Sequence, residues 1–440
     1  MICIFALISC LPLYSNAKNP DFGLGEQPQV FFQSPTYLHL LWGKVVREHP
    51  QVLIQRQNLQ SAGFEIEATK QAFYPTPSLS VERAQSNGGI DPSYSGASQV
   101  AIFKVQQALW TGGRLTAQKD KATANQEIEV AKLLEAQQSL ALKTLQAWSE
   151  VVSAQRKQTV LLTTKQALEN LQRKIERRAE QGMSTQSEVK LSRVRVSMVL
   201  LLLNQTKIQE EIAWLKLKQW VPEALSLSYP TLAIPQPWLH HDAHLPDLEN
   251  VDWERLSAVQ SPVVLRLQSQ LKVQAAEIQE KRAAYQPDIY LRAEHQRGNF
   301  AYSNTPNINR IFIGMTASTG AGLVLQKQLA ALLAKHDTAH HEIALAERLL
   351  SESVQSDVFN LIARQSKTEA LKLNLESLEE IEIAWLRQFD SGRKTWIEVM
   401  NAAQETMQSK LEGIENDSSM QQSYWRLQIF AYGVSRWTQP

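Results

Sequence analysis

Histidine-rich stretches are the first candidates for chemistry in this chain of 440 residues. His240-His241-Asp242-Ala243-His244 places three imidazoles and a carboxylate side by side, a donor set that can hold a transition metal. The cluster lies in a proline-rich stretch without a recognisable second shell, so we interpret it as a solvated loop. His336 and His340 have the helical spacing of zinc ligands, but no glutamate occupies the general-base position. We interpret this pair as helix surface and predict no metal and no cofactor.

Other catalytic signatures are missing from the sequence. It contains no phosphate-binding loop and no Gly-x-Ser-x-Gly nucleophile elbow. Both cysteines, Cys3 and Cys10, lie in the first ten residues, which argues against cysteine chemistry elsewhere. The 45 Lys and Arg residues are balanced by 44 Asp and Glu residues, so no basic footprint for nucleic acid exists. We predict that the protein is not an enzyme and does not bind nucleic acid.

The amino terminus predicts export. Ile2 to Tyr14 is almost wholly apolar and is followed by Ser15-Asn16-Ala17, which is typical of a signal peptide spanning residues 1–17. Leu7-Ile8-Ser9-Cys10 resembles a lipoprotein box, so lipidation of Cys10 is an open alternative to cleavage after Ala17. The longest later apolar run, Met198 to Leu203, is far shorter than a membrane helix. An exported chain of this kind is either soluble outside the cytoplasm or a β-barrel.

The mature chain contains two weak copies of one unit. Landmarks recur after 209 or 210 residues: Pro77 and Pro287, Gly113 and Gly322, Gly182 and Gly392. We predict a first repeat at 18–220, a proline-rich segment at 221–250, a second repeat at 251–436 and a tail at 437–440.

Each repeat predicts a helix, a β-hairpin, a very long helix and a shorter helix. Helical spacing extends from Thr36 to Phe73, and the hairpins fall at about 78–108 and 288–318. Gly113 to Gly182 and Gly322 to Gly392 contain no internal Gly or Pro, so each predicts one helix of roughly 100 Å.

The strands are long enough to cross a bilayer, but four strands cannot close a barrel. The chain must therefore form oligomers. Three copies would supply twelve strands and two would supply eight, and the strand count leaves both open.

Two motifs resemble the TolC family of outer-membrane efflux and secretion proteins. Leu109-Trp110-Thr111-Gly112-Gly113-Arg114 is similar to the family's strand-to-helix turn, and 389–402, FDSGRKTWIEVMNA, to its second tip turn. The resemblance implies a mostly α fold with transmembrane β structure: a homotrimer whose twelve-stranded β-barrel in outer-membrane lipid continues as a periplasmic α-helical barrel. It also implies a periplasmic adaptor (membrane fusion) protein and an inner-membrane ABC or other transporter as partners.

Two segments of the second repeat suggest the class of cargo. Residues 318–323 and 392–402 look most like the outer-membrane components of type I secretion systems that export large adhesins and agglutinins. A channel for efflux of small molecules or drugs is the alternative. A soluble periplasmic coiled-coil scaffold is a rival from another class, but it does not account for two bilayer-length hairpins.

The resemblance also assigns site residues. Gly182 and Gly392 would form tip turns that dock the adaptor. The strand-to-helix turns would contain Gly112, Gly113, Gly320 and Gly322. The periplasmic gate would contain Glu398, Asn401, Lys394, Glu188, Ser187 and Phe389.

Within this gate, Lys394 would form a closing latch with Glu188 or Ser187. Three-fold symmetry would turn Glu398 into a ring of like charge that favours cations. Asn401 replaces a neighbouring acidic residue of the family, which would weaken this ring.

Overall fold

A computed structural model describes residues 36–84, 99–221, 251–300, 307–317 and 324–434. Several predictions lie outside these residues: the signal peptide at 1–17, the histidine cluster at 240–244, Gly320 and Gly322.

Two similar sets of elements follow one another along the chain. The first comprises α1 (Thr36–Glu48), α2 (Pro50–Gln71), β1 (Thr76–Arg83), β2 (Gln99–Trp110), α3 (Arg114–Glu180) and α4 (Gln186–Trp220). The second comprises α5 (Trp253–Gln260), α6 (Pro262–Ala283), β3 (Asp288–Arg297), β4 (Ile308–Thr316), α7 (Val324–Asp390) and α8 (Trp396–Tyr432). Helices α3 and α7 each contain 67 residues, which corresponds to roughly 100 Å.

The helix predicted from Thr36 to Phe73 is two helices, so that prediction was wrong. The chain breaks at His49, whose backbone is extended (φ −64°, ψ 134°), and Pro50 begins α2. A residue before proline avoids the helical region, whereas proline itself suits the first helical position. The second repeat has the same break at Ser261, before Pro262.

The four strands form one antiparallel sheet in the order β1-β2-β3-β4. The β2–β3 pairing joins the two repeats, and β1 and β4 are the edges. Exposure alternates along β3 and β4, with one face exposed and the other half-buried. The exposed face carries large apolar side chains: Leu79, Val81, Phe103, Ile311, Ile313 and Met315.

The helices continue the side-by-side order of the sheet. Helix α3 packs against α2 and α4 from its own repeat and against α6 and α8 from the other. Helix α7 packs against α5, α6 and α8. Two apolar clusters hold the layer together, one around Trp42 and Trp425 and the other around Leu168 and Met400. None of the described helices has the length and apolar character needed to span a bilayer.

Candidate functional site

The chain reverses at two tip turns that have the same geometry. Gly182 follows α3 with φ 74°, and Gly392 follows α7 with φ 77°. At the first turn, Gly182 N donates to Ala179 O (3.0 Å) and Met183 N to Arg178 O (2.8 Å), which is a Schellman motif. Both glycines therefore adopt a positive φ, at which a side chain would be strained.

Both helices that follow the turns begin with a capping box. Thr185 N donates to Glu188 Oε2 (2.7 Å), and Thr395 N donates to Glu398 Oε2 (2.9 Å). Each threonine hydroxyl accepts from the backbone N–H of its glutamate. Both acids therefore have a structural role that the sequence interpretation missed, although the Thr-x-x-Glu pattern signals it.

Lys394 has a different partner from the one predicted. Its Nζ lies 2.7 Å from Glu398 Oε1 and 4.3 Å from the centre of the Trp385 ring. Lys394 lies one residue before the N-cap Thr395, so its side chain reaches the Glu398 carboxylate at the start of α8. The latch to Glu188 or Ser187 stays a prediction. The hydrogen bond from Lys394, followed by those from Thr395, lowers the pKa of Glu398 to about 2. The Glu398 carboxylate is therefore ionised at neutral pH and already paired with a cation.

The remaining predicted gate residues separate into two environments. Ser187 and Asn401 are exposed. Phe389 is buried in the apolar cluster near the tips, with the Arg178 guanidinium 4.1 Å from its ring centre. The assignment of Phe389 to the constriction is corrected accordingly, because its side chain packs between the helices of its own protomer.

Three contacts join the two tip regions within one protomer. Lys174 Nζ lies 2.7 and 2.9 Å from the two carboxylate oxygens of Asp390. Arg178 Nη2 donates to Phe389 O (2.9 Å), and a hydrogen bond joins the side chains of Trp396 and Glu188. The backbone N–H of Thr185 is the largest cause that lowers the pKa of Glu188, and Trp396 is the next.

Sequence reasoning missed these contacts as a set. The lysine and its aspartate are 216 residues apart, and no local pattern connects them. The available signal was the run of basic residues near the end of α3 facing a helix that ends in an acid. Lys174 and Arg178 of the first repeat therefore connect its tip to the tip of the second repeat. The sequence had predicted Lys394 for this connection.

The turn from β2 into α3 is tightly packed. Gly112 and Gly113 have φ values of 60° and 88°. A Cβ on Gly112 would lie 2.7 Å from Gln286 Cβ, which no side chain tolerates, whereas one on Gly113 would meet open space. Arg114 Nη2 donates to Asp288 Oδ2 (2.8 Å), which joins the start of α3 to the start of β3. The turn therefore fixes how the strands lead into the helices.

A polar seam lies between α3 and α8, between the two apolar clusters. Arg156 Nη1 is 3.6 Å from Asp417 Oδ2, and both side chains are largely buried. Ser149 and Ser418 share a hydrogen bond of 2.8 Å beside them. Burial raises the pKa of Asp417 to about 6, although the positive charge of Arg156 opposes the shift.

The predicted helix-surface pair His336 and His340 lies on α7 with ring centres 4.9 Å apart. Across the described ranges, no group of three or more His, Cys, Asp or Glu side chains is placed to hold a metal ion.

The fold is that of outer-membrane channels whose structures are solved. The outer membrane protein VceC from Vibrio cholerae aligns with a TM-score of 0.76 and 14% identity, covering 90% of this chain and 96% of that chain. The Campylobacter jejuni CmeC channel aligns at 0.73 with 13% identity, covering 90% and 85%. The Neisseria gonorrhoeae MtrE channel, in its open state, aligns at 0.68 with 14% identity, covering 92% and 91%.

At the level of sequence, residues 41–221 match the model of the family described as outer membrane efflux protein. This range contains the first tip turn and the β2–α3 turn. No curated protein matches the chain.

Proposed function

We propose that this chain is one subunit of an exit duct that carries substrates across the periplasm and the outer membrane. The supporting observation is the four-stranded sheet, whose exposed face is apolar and whose second strand runs directly into a 67-residue helix. An apolar face on membrane-length strands is what lipid contact requires. The long helices would then continue the passage into the periplasm.

The edges of the sheet support a ring of copies. In the described sheet, β1 and β4 each pair on one side only. Because every neighbouring pair is antiparallel, β4 of one copy runs opposite to β1 of the next and can pair with it. A contact between two different edges closes into a ring when the rotation from copy to copy adds up to a full turn. Three copies give twelve strands, an even number within the range of known barrels.

The helices provide matching edges below the sheet. Helix α4 has its major contacts with α3 alone, so it forms one border of the helical layer. Helix α7 forms the other border. Both carry exposed apolar side chains: Leu201, Ile208 and Leu215 on α4, and Leu349, Phe359 and Leu373 on α7. Covering such surfaces stabilises an assembly at roughly 25 cal/mol per Å² of apolar area. The trimer would bury them between neighbouring copies.

The partners follow from the position of the tips. The turns at Gly182 and Gly392 would meet a periplasmic adaptor protein, and an inner-membrane transporter would supply the cargo. The likeness of residues 392–402 to type I secretion components supports an adhesin as cargo. Efflux of small molecules uses the same scaffold. A deletion strain separates the two, because loss of one large surface protein indicates secretion, whereas increased drug sensitivity alone indicates efflux.

Electron microscopy of the protein extracted from outer membranes tests the duct itself. We expect three-fold particles with a membrane-embedded cap and a tail of roughly 100 Å, the length of α3 and α7. Mass spectrometry of the same particles should give three chains. Monomeric rods that are absent from the membrane fraction would refute the duct and favour the periplasmic scaffold.

A further inference from the structure

The half-buried face of the sheet carries a band of ionised side chains. Residues opposite each other in an antiparallel register share a face, so Lys104, Glu294 and Arg310 form one row across three strands. The adjacent row adds Arg292, opposite Phe312. We call Lys104, Arg292, Glu294 and Arg310 the cationic band, since three of the four are cations.

The band has one carboxylate for three cations, and this carboxylate is shared between two of them. Arg292 Nε lies 3.9 Å from one oxygen of Glu294, and Arg310 Nη1 lies 4.0 Å from the other. Both distances exceed that of a hydrogen bond. The buried Nε of Arg292 has no hydrogen-bond partner within the described part of the chain, and its guanidinium lies 4.8 Å from the centre of the Phe312 ring. The band therefore retains excess positive charge.

Other charges on this face do not cancel the excess. Glu82 lies opposite Val100, two rows away from Lys104. Asp288 is bonded to Arg114 at 2.8 Å. Positive charge thus concentrates in two neighbouring rows.

We infer that the cationic band makes the strand region of the duct selective for anionic cargo, such as carboxylate- or phosphate-bearing solutes. This inference rests on the proposed function, because it requires the half-buried face to line an aqueous passage. Rings of Lys and Arg in a pore attract anions and repel cations, and low-dielectric walls strengthen the effect. In a trimer the band would present nine cations against three carboxylates. Its preference for anions would be opposite to the preference for cations predicted for the Glu398 ring at the tips.

The test is block of single-channel current in a planar bilayer by sodium tripolyphosphate, added to each side in turn. We expect block from the strand side in wild-type protein. The triple variant Lys104→Gln, Arg292→Gln, Arg310→Gln should need about tenfold more tripolyphosphate for half-block. Arg310→Gln alone, a milder change, should need roughly threefold more. The matched control is Arg297→Gln, which removes a cation from the exposed face of the same sheet and should leave half-block unchanged.

The outcomes distinguish the inference from the proposed function. Conducting channels with equal half-block in wild type and both variants would overturn the inference and leave the duct standing. The same result is expected if the band meets lipid phosphates and does not line water. An equal loss of block in Arg297→Gln would also overturn it, because general charge would then explain the effect. Wild-type protein that never conducts would overturn the duct, and the inference with it.

Discussion

Replacement of Asp417 by Asn tests the buried polar seam between the repeats. Asp417 is 5% exposed, and its carboxylate lies 3.6 Å from Arg156. Burial raises its pKa from 3.8 to about 6. A shift of about two units corresponds to about 3 kcal/mol, at 1.36 kcal/mol per unit. In the native protein this carboxyl is therefore mainly neutral below about pH 6 and mainly ionised above it.

The sign of the pH dependence follows from linkage. Below pH 3.8 the carboxyl is protonated in both the folded and the unfolded chain, and its ionisation costs nothing. As the pH rises towards about 6, the unfolded chain releases this proton first, so the stability of the native protein falls. Above about pH 6 the loss is complete, at about 3 kcal/mol per chain, and the contribution is constant. The Asn variant lacks this titration.

The assay is urea unfolding of the detergent-solubilised protein, followed by far-ultraviolet circular dichroism from pH 4 to pH 8. We expect the free energy of unfolding of wild type, relative to Asp417→Asn, to fall by about 2.5 kcal/mol between pH 4 and pH 8, mostly below pH 6, because part of the loss has already occurred at pH 4. Glu415→Gln is the control, because Glu415 is a neighbouring acid that is 64% exposed. A difference between wild type and Asp417→Asn that stays constant from pH 4 to pH 8 would refute the reasoning.

Two further predictions concern the turns. Gly112→Ala should lower the melting temperature and the yield of assembled protein more than Gly113→Ala, because both face a positive-φ cost of about 1–2 kcal/mol but only Gly112 is also crowded. Equal effects would show that the crowding at Gly112 relaxes. Lys174→Gln removes a half-exposed link to Asp390, worth about 0.5–1 kcal/mol, and should raise the idle conductance of the duct about two- to fivefold. Lys165→Gln, which loses only a pair within α3, is the control, and an equal rise there would exclude a specific tie at the tips.

Local sequence patterns predicted much of the fold. The absence of Gly and Pro from α3 and α7 predicted the length of both helices, because no residue in those segments interrupts the helical hydrogen bonds. The hairpins and the glycine turns followed from residues with strong local preferences. The break before Pro50 was also readable from the sequence, because proline restricts the residue before it, but helical spacing on both sides concealed it.

The contacts of the candidate site could not be obtained in this way. Lys394 is an exception, because its partner Glu398 is only four residues away and this spacing was readable from the sequence. Phe389 resembled a gate residue in the sequence, but it is buried in an apolar cluster near the tips with side chains of α3, α4 and α8.

The sequence by itself determined the repeat, the element lengths and the turns, because these depend on interactions between residues a few positions apart. The tertiary structure alone decided which charges meet across the repeats, including Lys174 with Asp390 and Arg156 with Asp417. Only the strand register placed the cations Arg292 and Arg310 beside one carboxylate. Pairings over such separations depend on how whole helices and strands pack, and a charged side chain on an isolated element has no preference among distant partners of opposite charge.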